Sequence, residues 1–194
     1  MVLKPVVQCI LAAGQSRRLG QPKALLKCAG KTLINSHIDQ FQGSSIVVLG
    51  YAHKELSKSL GSCQFVINEN WHLGQFSSLQ EVLRAVKPGY DALILPVDQW
   101  PINQATYQLL LDSRSKSFDI IQPQLDNKNG HPILISEDFI KKLLILNPTE
   151  SRLDHIIYKV PQHRKLSVKT QDIAVCRDID TSEDLHQFRK AHSP

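Results

Sequence analysis

Short apolar runs alternate with amphipathic segments along almost the whole chain. Val6–Leu11, Ser45–Leu49, Gln64–Ile67, Ala92–Pro96 and Asp119–Gln122 have the length of buried strands. Thr32–Gln40, Lys54–Ser59, Phe76–Val86, Gln104–Ser113 and Glu137–Leu144 carry helical periodicity. Strands alternating with helices predict parallel βαβ units, with helices on both faces of the sheet and right-handed crossovers. Val86-Lys87-Pro88-Gly89 ends one helix, and Asn103 is placed to cap the next. Thr181 and Asp184 have capping-box spacing for a C-terminal helix. Arg164–Val168 and Ile173–Cys176 read as later strands, a peripheral pair.

The chain has 194 residues, 42% of them apolar and 21% charged, which fits one folded domain over residues 1–194 and argues against disorder. No run approaches the ~18 apolar residues that span a bilayer. The apolar run from Val6 leads straight into a polar loop, which is not a signal-peptide pattern. Cys9, Cys28, Cys63 and Cys176 are scattered and form no Cys-x-x-Cys pair. They read as buried thiols of a cytoplasmic protein, not as a zinc or redox site.

Charge placement sharpens the picture. Lys4, Arg17, Arg18, Lys23, Lys27 and Lys31 precede the first acidic residue, Asp39, and the rest of the chain is close to neutral. The basic pI of about 9.0 therefore belongs to one end. A nucleic-acid binder would show a longer basic stripe with interleaved aromatics, and only 6% of residues here are aromatic.

The cationic end contains Leu11-Ala-Ala-Gly-Gln-Ser-Arg-Arg-Leu-Gly-Gln-Pro-Lys23. Glycines that let the main chain approach a polyanion, adjacent N–H groups, and Arg17 or Arg18 with Lys23 can build a phosphate-binding loop; a solvated cationic face with no ligand is the other reading, favoured for the lysines alone but not for the whole motif after a strand. The segment matches neither Gly-x4-Gly-Lys-Ser/Thr nor Gly-x-Gly-x-x-Gly.

In an open α/β sheet, ligands bind beyond the carboxyl ends of the strands. Both the Gly14 loop and Asp98, which follows Ala92–Val97, fall at that edge. A carboxylate facing a phosphate loop suits Mg²⁺, and a turn role before Trp100-Pro101 is the other reading of Asp98. Ser77 and Ser78 open a helix, where they offer hydroxyls to a ligand or simply cap it. Gly130-His131-Pro132 precedes the apolar Ile133–Ile135, and alone it is a weak signal. Asp178 and Asp180 would point the same way in an extended segment, so that one of them reaches a metal on Asp98.

Together with Leu26-Lys-Cys-Ala-Gly-Lys-Thr-Leu33, Gly74-Gln-Phe-Ser-Ser-Leu79, Leu95-Pro-Val-Asp-Gln99 and Asp178-Ile-Asp-Thr-Ser-Glu-Asp184, these segments resemble the molybdenum cofactor nucleotidyltransferases. That family lies within the nucleotide-diphospho-sugar transferase superfamily, and the set is most similar to its CTP:molybdopterin cytidylyltransferase branch. The resemblance implies a Rossmann-like three-layer α/β/α fold with a mainly parallel sheet. It implies Mg²⁺-dependent transfer of a nucleoside monophosphate from an NTP, CTP in that branch, to a molybdopterin-type phosphate acceptor, with release of pyrophosphate.

By the same resemblance, Leu11, Ala12, Ala13, Gly14, Arg18, Lys23, Ser78 and Asp98 would bind the nucleotide, with Arg18, Lys23 and Asp98 catalytic. Asp98 and Asp180 would hold the metal. Ser77, Gly130, His131 and Asp178 would face the acceptor. A molybdoenzyme or chaperone is a further implied partner. The alternatives are a GTP-using or sugar-phosphate transferase, and a catalytically inactive nucleotide- or pterin-binding accessory protein. Trp100 stands where the family has proline, a change expected to reshape the base or acceptor pocket.

Overall fold

In the computed structural model, which describes residues 3–28 and 30–192, the described residues form ten strands and seven helices, alternating from β3 through β7. The strands are β1 (Val6–Ala12), β2 (Lys27–Cys28), β3 (Lys31–Thr32), β4 (Ser45–Leu49), β5 (Gln64–Ile67), β6 (Asp91–Pro96), β7 (Ile120–Leu125), β8 (Lys128–Asn129), β9 (Ile133–Ile135) and β10 (Lys165–Lys169). The helices are α1 (Leu33–Gln40), α2 (His53–Leu56), α3 (Gln75–Arg84), α4 (Gln104–Asp112), α5 (Glu137–Leu144), α6 (Leu153–Lys159) and α7 (Ser182–Ala191).

The main sheet runs β10-β7-β9-β6-β1-β4-β5, and β8 pairs with β7. Along that order every pairing is parallel except those of β9, which runs against β6 and β7. Side-chain alternation serves both faces, because the central strands are buried on both sides. Cys9, Ile46, Val48, Ala92 and Ile94 pack under α3 and α5. Ile10, Val47, Leu49, Leu93 and Leu95 face the opposite layer, where α1, α4 and α7 lie. The result is the three-layer α/β/α arrangement with a mostly parallel sheet. Among the described residues no helix is long and apolar enough to cross a membrane.

Several local expectations change. Ile173–Cys176 is a 3₁₀ turn, not a strand, because the Asp172 side chain accepts from the Ala174 N–H and turns the chain. Arg164–Val168 therefore has no peripheral partner, and β10 instead extends the main sheet beside β7. Asn103 sits at the N-cap of α4 but makes no side-chain cap bond, and its own N–H goes to Asp172 Oδ2. Lys54–Ser59 keeps only one helical turn, α2. The capping box at Thr181 and Asp184 is present. Cys9 is buried, but Cys63 and Cys176 are only half-buried, and all three are unpaired. The side chain of Cys28 and the residue Ala29 lie outside the described residues.

One ionic knot ties the amino edge of the sheet together. Asp119, nearly fully buried, accepts from Arg164 Nη2 at 2.6 Å, Ser136 Oγ at 3.1 Å and Lys142 Nζ at 3.3 Å. Burial pushes its carboxyl up, but the Arg164, Lys142 and Ser136 hydrogen bonds outweigh that and hold it below the ordinary carboxylate value. A depressed folded pKa gives stability that is present above the unfolded value and lost as pH falls through the folded one. Asp119→Asn is expected to destabilise the fold by roughly 1–3 kcal/mol at neutral pH, since the partners are partly exposed. Its thermal midpoint should converge on that of the unsubstituted chain below pH 4. Parallel midpoint-versus-pH curves for the two proteins would contradict this account.

Candidate active site

The carboxyl ends of β1 and β6, with the turn before α3, open onto a cavity of about 520 Å³. Its floor is the turn that leaves β1, through Ala12, Ala13 and Gly14. A Cβ placed on Gly14 meets nothing within 4 Å, so a ligand can lie directly against the main chain here. The loop is closed by its own bonds. Ser16 Oγ accepts from the Lys23 N–H at 3.2 Å, and Ser16 itself adopts a positive φ of 54°. Both cationic turns, Arg17–Leu19 and Lys23–Leu25, are short 3₁₀ segments on the cavity wall.

Lys23 is the centre of the charge arrangement. Its Nζ lies 2.7 Å from Asp98 Oδ2 and 2.5 Å from Asp180 Oδ1. Arg18 Nη2 reaches the other oxygen of Asp180 at 2.9 Å. Burial lowers the Lys23 pKa, but the Asp98 and Asp180 carboxylates overcome it and raise the value above normal. The ammonium is therefore charged throughout the neutral range and is no general base. The Lys23 hydrogen bond in turn holds the Asp180 carboxyl below the usual range. Two carboxylates from distant segments thus converge on one cation, the donor set a Mg²⁺-sized ion uses when substrate oxygens and water complete its shell. The residues fit such an ion.

Leu11, Ala12, Ala13, Gly14, Arg18, Lys23, Ser78, Asp98 and Asp180 all line this cavity. So do Trp71 and His72, which the sequence reading missed. Trp71 is held edge-on by Tyr51, with ring centroids 5.3 Å apart. The signal was available, since both residues follow β5 at the carboxyl edge of the sheet.

A second cavity, of about 1000 Å³, lies beside the first and shares Leu11, Gly74, Gln75 and Pro96 with it. Gly130 and His131 line it, as do Gln122, Gln124, Arg152 and Lys165. Gly130 is forced by packing, because a Cβ there would stand 2.0 Å from the Val175 carbonyl oxygen. Burial pushes His131 down to about 4, so it is a neutral imidazole at pH 7.

Ser77 and Asp178 do not join either cavity. Ser77 is buried, donates to the Gly74 carbonyl at 2.8 Å and accepts from Asn68 Nδ2 at 2.9 Å. Neighbouring residues on a helix point about 100° apart, so with Ser78 on the cavity Ser77 turns inward. Asp178 pairs with Gln99 in an isolated bridge and is exposed. No ladder continues past it to keep Asp178 and Asp180 on one side. Trp100 also lines neither cavity. It is buried between Phe188 and His192 of the α7 end, with the Arg177 guanidinium 5.9 Å over its ring. Its ring therefore seats the end of α7 instead of facing either of the two cavities.

The family model for the MobA-like NTP transferase domain matches residues 8–165. The chain belongs to this family. The chain is 26% identical over 189 residues to the molybdenum cofactor cytidylyltransferase of Escherichia coli K12, covering 92% of this chain and 93% of that protein. It is also 26% identical over 166 residues to a probable molybdenum cofactor guanylyltransferase of Bacillus cereus ATCC 10987, covering 82% of this chain and 75% of that one. Among solved structures it is similar to Rv0371C of Mycobacterium tuberculosis H37Rv in complex with manganese. That match has a TM-score of 0.76 and 22% identity, and covers 96% of this chain and 99% of the other. The MobA-like chain is a nucleotidyltransferase.

Proposed function

We propose that this enzyme transfers CMP from CTP to the phosphate of a molybdopterin-type acceptor, in the cytoplasm and with Mg²⁺ as the metal. The observation that carries the reading is the junction of the two cavities. The phosphate loop, Asp98 and Asp180 sit in one, the larger pocket opens beside it, and Leu11 and Pro96 belong to both. Ala12, Ala13 and Gly14 present main chain to the nucleotide. An acceptor phosphate oxygen attacks the α-phosphorus, a new P–O bond forms, and the bond to the β-phosphate breaks to release pyrophosphate. Arg18 and Lys23 draw the growing charge on the departing phosphates. A divalent cation held by Asp98 and Asp180 supplies further neutralisation of the same charge when bound. His131 and Gly130 line the acceptor side, where a neutral imidazole can hydrogen-bond without adding charge. No protein nucleophile is needed, and holding the two substrates in line does much of the work.

CTP is the finer part of the reading. It rests on the cytidylyl-type Ser-Ser-Leu and Val-Asp-Gln segments and on the Escherichia coli relative, against a guanylyltransferase of equal identity. The test is a panel of the four NTPs with purified molybdopterin and with sugar phosphates, followed by pyrophosphate release. CTP with molybdopterin should turn over fastest. A clear GTP preference in competition would place the chain with the guanylyl enzymes. Turnover only with a sugar phosphate would overturn the acceptor, and no turnover with tight nucleotide binding would mark a binding protein.

A further inference from the structure

Asp98 lies on the turn after β6 and Asp180 at the entry to α7. Their convergence on Lys23 needs these two segments fixed against each other. The main chain supplies part of the restraint. The Ile179 N–H donates to the Asp98 carbonyl and the Trp100 N–H to the Arg177 carbonyl, both at 2.9 Å. Two buried side chains supply the rest. Gln99, 3% exposed, donates through Nε2 to the Arg177 carbonyl at 2.6 Å and to the Ala174 carbonyl, which stitches the Asp98 turn to the segment leading into Asp180. His37, fully buried on α1, places Nε2 3.2 Å from the Val97 carbonyl, directly before Asp98. Burial pushes His37 down to about 4. The ring is therefore neutral, and to meet a carbonyl its Nε2 must carry the hydrogen. Neither side chain lines either cavity.

We infer that Gln99 and His37 are positioning residues that set the placement of Asp98 against Asp180 and thereby the gain in nucleotide affinity that a divalent cation confers. This rests on the reading of the two aspartates as cation ligands. Gln99 thus acts from beneath the site, and its amide, committed to two main-chain carbonyls, does not read the base. Partners that orient ligands usually change metal affinity or activity about 10- to 100-fold when removed.

The experiment measures, by calorimetry, binding of whichever of CTP and GTP binds more tightly, once with Mn²⁺ and once with chelator. The ratio of the two affinities is the readout. Gln99→Met keeps the side-chain length without the donor, and His37→Leu removes the imidazole. Each should shrink the ratio about tenfold while metal-free affinity stays near that of the unsubstituted protein. His37→Gln, which can still donate to the Val97 carbonyl, should restore most of the ratio. Leu143→Ala, a cavity in the opposite layer, serves as a control for general destabilisation and should leave the ratio unchanged.

If Gln99→Met or His37→Leu folds poorly, Gln99→Asn, too short to hold both carbonyls, and His37→Phe, which keeps a ring of similar size without the donor, carry the comparison. A ratio in these variants equal to that of the Leu143→Ala control would overturn the inference. An unchanged ratio in Asp98→Asn would instead overturn the ligand reading itself.

Discussion

Asp98→Asn is expected to lower turnover by about 100-fold or more while changing stability by less than about 1 kcal/mol. The substitution keeps the shape of the side chain and removes its charge. The backbone bond from the Ile179 N–H to the Asp98 carbonyl does not involve the side chain and persists. Lys23 loses one partner but keeps Asp180 at 2.5 Å, so the ammonium remains paired. If Asp98 only shaped the turn, asparagine would serve equally well and activity would hardly change. A divalent-metal titration of both proteins, with thermal midpoints alongside, decides between these roles. Equal turnover and equal metal dependence in Asp98→Asn would remove it from the list of ligands.

The parts of this fold that were legible from sequence are those where local pattern and tertiary burial agree. Val6–Leu11 and Ser45–Leu49 are apolar at nearly every position because both sheet faces are covered, and they became β1 and β4. The carboxyl-edge rule likewise puts Gly14 and Asp98 at the edge where the cavity lies. What failed was decided by single long-range bonds. Asp172 reaches Ala174, Asn103 and Thr106, and that one side chain converts an apolar run into a turn and replaces the expected cap. Helix α6 was invisible because it is seven residues long, lacks a side-chain cap and buries no residue fully.

At the site, residue type was more readable than direction. Ser77 and Ser78 share a motif, yet helix geometry lets only Ser78 face the cavity. Trp100 looked like a pocket substitution, but its ring packs on Phe188 5.7 Å away, a contact across nearly ninety positions that no periodicity announces. The strand pattern offered either Asp178 or Asp180 as the partner of Asp98, and only the family resemblance singled out Asp180, since the bridge beside it, between Gln99 and Asp178, is a single residue pair.

Lys23→Met should produce two changes of opposite sign. Turnover should fall about 100- to 1000-fold, the effect of removing one preorganised donor from developing charge. Binding of Mn²⁺ alone to the nucleotide-free protein should tighten. Both follow from one geometry, in which the ammonium occupies the point where Asp98 and Asp180 converge. A cation entering that point must displace Lys23 from the carboxylates, and the freed ammonium, 11% exposed on the wall of the nucleotide cavity, then has the phosphates as its nearest alternative partners. Methionine keeps the apolar stem packed but removes the competing charge, so that an entering cation would meet both carboxylates, with Arg18 still paired to Asp180. Because those carboxylates raise the Lys23 pKa, the charge is lost only as pH rises past that raised value. The difference between the two proteins should therefore be constant across neutral pH. Electron paramagnetic resonance of free Mn²⁺ reads the competition for the two carboxylates directly, and steady-state kinetics reads the phosphate contact. Weaker Mn²⁺ binding in Lys23→Met would show that the lysine supports the cation site instead of competing for it, and unchanged turnover would place its charge away from the reacting phosphates.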